Sequence, residues 1–281
     1  MNKERFQNNR VASIRPLWII LLIFSGFTPI QYNSVTIKEV DKENGVVLIG
    51  INSNQYPVTI ELDLKLKNMS SSKNNPIIKV VPAKSELVLI ELEVEEPGSS
   101  GVWEYKFKYY QGSIYAKHND KIAYRLPYKI GEKYRLDQGY NGKFSHRGES
   151  RHSLDFNMKE GTEVYSSRAG MVVDFKDEYS EGGSDKSLLD KANYVTILHD
   201  DGTFARYSHL QKNGVSVKIG QKVKAGERIG YSGATGYVTG PHLHFTVLKA
   251  NRGGGSISIP VKFATKDGII ALKEKETYTA Y

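Results

Sequence analysis

Gly240-Pro241-His242-Leu243-His244-Phe245 is the stretch on which the reading of this chain turns. Side chains two apart on a β-strand point to the same face of a sheet. A strand here presents His242 and His244 on one surface and sends Leu243, Phe245 and Val247 into a core. Taken alone, the His-x-His pair fits either two polar residues on a wet sheet face or part of a chemical site.

The other histidines bear on that choice. Tyr207-Ser208-His209-Leu210 follows an alternating run at 194–198. Upstream stand Phe144-Ser145-His146-Arg147-Gly148 and His152-Ser153-Leu154-Asp155-Phe156. The chain has no cysteine, so it has neither a disulfide framework nor a thiolate metal site. Any metal must be held by His, Asp or Glu, a donor set suited to zinc (Zn2+) at an open catalytic site. Such a site uses three protein ligands and keeps one position for water. It also needs groups that take the water's proton and stabilise an oxyanion. His146 or His152, with Asp155, His209, His242 and His244, can fill those roles.

Outward from these motifs the sequence reads as mainly β. Val, Ile, Tyr and Thr recur in short alternating runs, and 26 glycines against 9 prolines interrupt them. Between 34 and 124 the runs at 35–37, 46–51, 58–64, 87–92 and 103–107 are separated by polar turns, which predicts a β-sandwich-like domain. No chemical constellation stands in it, and His118, in Lys117-His118-Asn119-Asp120, reads as a solvated loop residue. His199 precedes Asp200-Asp201-Gly202, a hairpin signal, and reads as a turn residue. The stretches 177–191 and 251–256, rich in Gly, Ser and charge, read as exposed loops.

The first 30 residues read as a signal peptide or N-terminal anchor. Lys3, Arg5, Arg10 and Arg15 precede an apolar segment at 17–27, too short to span a bilayer on its own. Either form places the rest of the chain outside the cytoplasm, in the periplasm, envelope or extracellular space, and an anchor is the only membrane contact expected. Of the net charge of +8, Lys3, Arg5, Arg10 and Arg15 against Glu4 carry +3; the remaining mild excess of +5 fits an anionic polymer as partner, but no nucleic-acid motif accompanies it, so nucleic acid is not expected.

With these pieces in order, the stretch 139–263 resembles the LytM/lysostaphin-type zinc metallopeptidases, the M23 family. The matching segments are His146-x-Gly148, Asp155-Phe156, Gly161-Thr162-Glu163-Val164-Tyr165, Gly170-Met171-Val172-Val173 and Asn193-Tyr194-Val195-Thr196-Ile197. They continue with Tyr207-Ser208-His209-Leu210, Val223–Gly230, Ser232–Gly236 and Gly240–Phe245. The resemblance implies a zinc metallopeptidase domain at 126–281, which follows the signal or anchor read at 1–30 and the β-sandwich-like accessory domain read at 31–125. It implies Asp155 and His244 as zinc ligands with an upstream histidine as the first. His209 and His242 become the non-ligand pair beside a metal-activated water, one of them the general base. Tyr140 sits where some members place a tyrosine that supports the transition state.

The implied activity is hydrolysis of peptide cross-links in bacterial peptidoglycan. The alternative is a wall-binding module that activates other hydrolases, as in relatives that have lost the zinc ligands. The stretch 177–191 is the expected wall of the substrate groove. One departure stands out: the family's His-x-x-x-Asp would place its histidine at Arg151. Of the two neighbours, His146 keeps the His-x-Gly start, and His152 lies three residues from Asp155, on the opposite face of an extended strand. His146 is therefore expected as the first ligand.

Overall fold

The computed structural model describes residues 34–281, apart from Pro97 and Gly254. The segment read as a signal or anchor lies outside the described residues. Among the described residues no helix is long and apolar enough to cross a membrane. The chain forms two compact units, divided between Gln111 and Gly112.

The first unit contains β1 (Val35–Lys42), β2 (Gly45–Asn52), β3 (Val58–Lys67), β4 (Met69–Ser71), β5 (Ile77–Val81), β6 (Ser85–Val94) and β7 (Val102–Gln111). They pair into a four-stranded sheet, β1-β2-β6-β4, and a three-stranded sheet, β5-β3-β7, antiparallel throughout. Val46, Leu48, Leu89 and Leu92 of the first sheet and Ile60, Leu62, Ile77 and Trp103 of the second share one apolar core. Alternation produces this: in Val58–Lys67 the residues Val58, Ile60, Leu62 and Leu64 are buried, while Asp63 and Lys65 face water.

The second unit opens with β8 (Ala123–Tyr124), β9 (Lys133–Gln138), β10 (Ser153–Phe156), β11 (Glu163–Tyr165), β12 (Gly170–Lys176) and β13 (Gly182–Gly183). It continues with β14 (Asn193–Leu198), β15 (Phe204–Val215), β16 (Lys222–Val223), β17 (Arg228–Ser232) and β18 (Gly236–Tyr237). Last come β19 (Leu243–Ala250), β20 (Ser256–Ser258), β21 (Lys262–Thr265), β22 (Gly268–Ile270) and β23 (Thr277–Thr279). An eleven-stranded sheet runs β16-β12-β14-β15-β19-β10-β9-β23, with β11, β17 and β20 attached to it. Leu154, Phe156, Ile197, Tyr207, Leu243, Phe245 and Val247 all lie in its core. The alternation of β19 therefore works as its sequence requires, with the residues between and after the histidines turned inward.

Residues 112–125, read from the sequence as the end of the first domain, fold with the second unit. The reason is Tyr124, fully buried in the second core against Phe245 and Phe263. Two histidines also depart from their sequence reading. The His118 side chain is 10% exposed, its Nδ1 2.7 Å from Asp120 and its Nε2 3.3 Å from the Tyr124 hydroxyl. His199 does precede the hairpin turn, yet it is only 3% exposed. Its Nδ1–H donates to the Ala169 carbonyl at 2.8 Å, and its ring meets the edge of Tyr124. Beside it the buried Arg168 donates to Asp201, Asp200 and Tyr124, which ties the turn to the core.

Burial holds His199 neutral, with its pKa lowered to about 4; the neighbouring Arg168 charge acts in the same direction. An unfolded histidine titrates near 6.5. As pH falls from about 6.5 to about 4, the unfolded chain takes up a proton that the folded protein refuses, so folded stability declines. The expected slope from this one group is up to about 1.4 kcal/mol per pH unit. In urea titrations across this window, His199→Gln should lose stability less steeply than the wild type; equal slopes would show that His199 is not neutral in the fold.

Candidate active site

The site is built on three adjacent strands. β10 and β19 pair antiparallel with Asp155 directly opposite His244. β15 pairs with the other edge of β19, with Ser208 opposite His244. The pairing of β14 with β15 passes from Asn193↔Leu210 to Tyr194↔Ser208, so His209 is the extra residue of a bulge. Its φ is +63°. A left-handed histidine in a strand is an uncommon conformation, and bulges of this kind re-aim side chains near active sites. His242 stands just before β19 and is held by a bridge to Gly233.

His146, Asp155 and His244 each bring one ligand atom to a common point, all within 4.8 Å of one another; His209, His242 and His244 form a second such group. His146 is 1% exposed and its Nδ1–H donates to the Gly139 carbonyl at 2.7 Å. The carbonyl can only accept, so the neutral ring keeps its lone pair on Nε2. Nε2 lies 3.1 Å from Asp155 Oδ2 yet makes no hydrogen bond among the described residues. Two electron-rich atoms facing each other in a buried place are repulsive unless they share a cation. The third donor is His244. Its Nδ1 is 2.8 Å from Asp155 Oδ1, while its Nε2 is occupied by the Thr246 hydroxyl at 3.0 Å. Thr246 is itself bonded to Ser153. Gln138 donates to Asp155 Oδ2 and to Ser145, fixing the carboxylate from the other side.

Asp155 is ionised: burial would raise its pKa, but the adjoining His146 and His244 imidazoles outweigh that and hold it well below the usual range. For His146 burial favours the neutral ring, and the Asp155 carboxylate more than offsets this, raising its pKa. Two imidazoles and one ionised carboxylate around one point are a donor set for a divalent metal, with further polar groups behind the donors.

His209 and His242 stand beside this triad, ring centroids 4.7 Å apart, and His209 is 5.7 Å from His244. The Nδ1–H of His209 donates to the Thr235 carbonyl at 2.7 Å, that of His242 to the Gly240 carbonyl at 2.9 Å. Both rings thus present a free Nε2. Burial, and then the two neighbouring histidines, lower the pKa of His209 to about 3, which keeps it neutral. His209, His242, His244 and Asp155 open on a groove of about 1090 Å3. Phe144 and Leu189, 69% and 61% exposed, stand at its edges. Leu189 is the residue of the 177–191 stretch that lines it.

His152 is not part of this constellation. It precedes β10, and its backbone N–H and its Nδ1–H both bond Ser258. Tyr140 lines the groove, but its hydroxyl donates to the Val261 carbonyl and accepts from the Val261 N–H, so it is engaged in structure. The groups that sequence reading missed are the supports: Gln138, Thr235 and Thr246. Spacing gives no signal for Gln138 and Thr235, which reach the site from other segments, whereas Thr246 follows His244 by two residues on one strand and alternation places it on the same face.

A fold of this type with two histidines and an aspartate at one point, and two further histidines beside them, defines a metallopeptidase-like centre. Residues 149–256 match the family model of peptidase family M23, and this stretch of the chain belongs to that family. The chain is 36% identical over 146 residues to peptidoglycan DD-endopeptidase ShyA of Vibrio cholerae, covering 50% of this chain and 31% of that protein. It is 26% identical over 249 residues to an uncharacterized metalloprotease of Buchnera aphidicola, covering 87% and 61%. Among solved structures, the catalytic domain of lysostaphin from Staphylococcus simulans is 31% identical over 42% of this chain and 79% of that one, with a TM-score of 0.29. The chain spans less than two thirds of the length of these two full-length relatives. His146 lies just upstream of the family match.

Metal content separates the two histidine groups. The purified protein should hold about one equivalent of zinc. His244→Ala and His146→Ala should each empty the site, whereas His152→Ala and His209→Ala should keep the metal. A full metal complement in His146→Ala together with an empty site in His152→Ala would reverse the assignment.

Proposed function

We propose that this chain is an exported zinc metalloendopeptidase that hydrolyses peptide cross-links of bacterial peptidoglycan. The observation that carries the reading is the convergence of five side chains: His146, Asp155 and His244 at one point, His209 and His242 beside it, with all but the buried His146 lining one open groove. Membership of a peptidase family and the likeness to a peptidoglycan DD-endopeptidase support it. A non-catalytic activator has no use for these five residues, so their convergence favours the enzyme. The substrate lies outside the cytoplasmic membrane, in accord with an export signal.

In this reading His146 Nε2, Asp155 and His244 Nδ1 hold the zinc. When bound, the ion supplies Lewis acidity toward water and the scissile carbonyl. The remaining chemistry belongs to the chain. His209 Nε2 accepts a proton from the attacking water, because its Nδ1 is committed to Thr235 and the bulge aims the ring into the groove. His242, turned to the same place by Gly240, donates to the oxyanion once it carries a proton. Gln138 and Thr246 keep the ligands in the required tautomer and orientation. Phe144 and Leu189 give the groove apolar edges for the peptide chain. The first unit is an accessory domain with no part in the chemistry.

Mass spectrometry of purified wall fragments tests the reading. Zinc-loaded protein should release new peptide termini from cross-linked muropeptides; a strong chelator should stop the release and added zinc should restore it. His209→Ala should lower the rate on the order of 10²-fold with the metal retained. Undiminished cleavage under chelation would overturn the metallopeptidase assignment.

A further inference from the structure

The stretch 177–191 was read from sequence as a groove wall, but its backbone does something more specific. β13 within it pairs in parallel with β18, Gly182 beside Gly236. The Gly236 N–H donates to the Glu181 carbonyl at 2.8 Å, and the Val238 N–H donates to the Gly183 carbonyl at 2.9 Å. Gly236 N–H and Thr235 C=O belong to one peptide group, whose plane is rigid and whose two polar ends point in opposite directions. Its other end, the Thr235 carbonyl, accepts the Nδ1–H of His209. The chain of contacts is therefore continuous: Glu181 carbonyl, the 235–236 peptide, the His209 ring. Turning that peptide moves the acceptor on which the ring depends.

The surroundings hold this peptide in place. The buried Thr235 hydroxyl donates to the Leu210 carbonyl at 2.7 Å and accepts from the Asn193 N–H at 2.9 Å. The Asn193 side chain, also buried, clamps both polar groups of the Tyr179 backbone at the start of the loop. Asn193 lies opposite Leu210 at the bulge that contains His209. The close approach also explains a glycine. A Cβ on Gly182 would lie 1.5 Å from the Ala234 carbonyl oxygen, whereas one on Gly183 would meet nothing nearer than the Leu188 side chain at 3.6 Å.

We infer that the 177–191 loop is a positioning element for the general base, acting through the Thr235–Gly236 peptide, with Gly182 and Thr235 as its positioning residues. This rests on the peptidase reading for the role of His209, and the contact itself is independent of it. The loop thus does two jobs. It borders the groove with Leu189, and it sets the direction of the ring that takes the proton.

Paired alanine substitutions test it. In the zinc-loaded full chain, Gly182→Ala should keep about one zinc. Its kcat should fall by about 10-fold or more, with little change in KM, because a small misplacement of the base is costly. Its slowly exchanging His209 Nδ1–H proton resonance, identified by its loss in His209→Ala, should disappear or shift. Gly183→Ala, the same change one residue on, should match the wild type in all three. Thr235→Val should act like Gly182→Ala, more weakly, and Thr235→Ser should restore both readouts. This second pair decides the matter if Gly182→Ala does not fold.

A wild-type resonance and kcat in Gly182→Ala would overturn the inference. So would a wild-type Thr235→Val, or equal loss in Gly183→Ala. Failure of the wild type to hydrolyse wall peptides would count against the peptidase reading instead, and the resonance contrast would still judge the loop.

Discussion

The antiparallel register that sets Asp155 opposite His244 is the constraint on which the rest of the site depends. It fixes a carboxylate and an imidazole on neighbouring strands, inside a sheet whose other face is packed with Leu154, Phe156, Phe245 and Val247. A slip of one residue in either strand would turn its metal-binding side chain into that core and bring its apolar ones out. The energy that defends the core therefore defends the metal-binding pair. His146 needs only to approach from a preceding excursion, at Gly148–Ser150 and its flanks, to complete the group.

Around this pair the protein fixes protons by the choice of acceptor. His146, His209 and His242 each commit Nδ1–H to a backbone carbonyl, so each leaves Nε2 free. His244 is arranged the other way, with the Thr246 hydroxyl at Nε2 and Nδ1 toward Asp155. Carbonyls can only accept, so these tautomers follow from the fold. The strand pairings thus set where side chains lie and also which ring nitrogen has a lone pair.

Two departures from regular structure stand where chemistry is proposed. His209 occupies a bulge with positive φ, and the 181–183 backbone is drawn against 234–238 at a distance only glycine allows. Such features persist when surrounding contacts over-determine them. Here the contacts are Asn193, Thr235 and the long strand β15, all tied to the core. The first unit buries an apolar interior of its own.

The sequence by itself determined the mainly β architecture, the strand that carries His244 and the inward face of Leu243, Phe245 and Val247, and it offered six candidate residues for the site, His152 among them. These are legible because alternation and short motifs are local. It also favoured His146 over His152, since residues three apart on a strand oppose one another, and the structure brings His146 to Asp155 and turns His152 to Ser258. Only the tertiary structure decided the rest. His118 and His199 leave the solvent because both pack on Tyr124, which Arg168 covers in turn, from segments whose spacing says nothing about contact. Residues 112–125 join the second unit for the same reason, Tyr124 being buried there and not where the chain's composition changes. The Tyr140 hydroxyl is spent on Val261, and the tautomers of His146, His209 and His242 rest on carbonyls two to twenty-six residues away. Long-range pairing places those partners, and pairing register is a property of the folded sheet, not of any stretch of sequence.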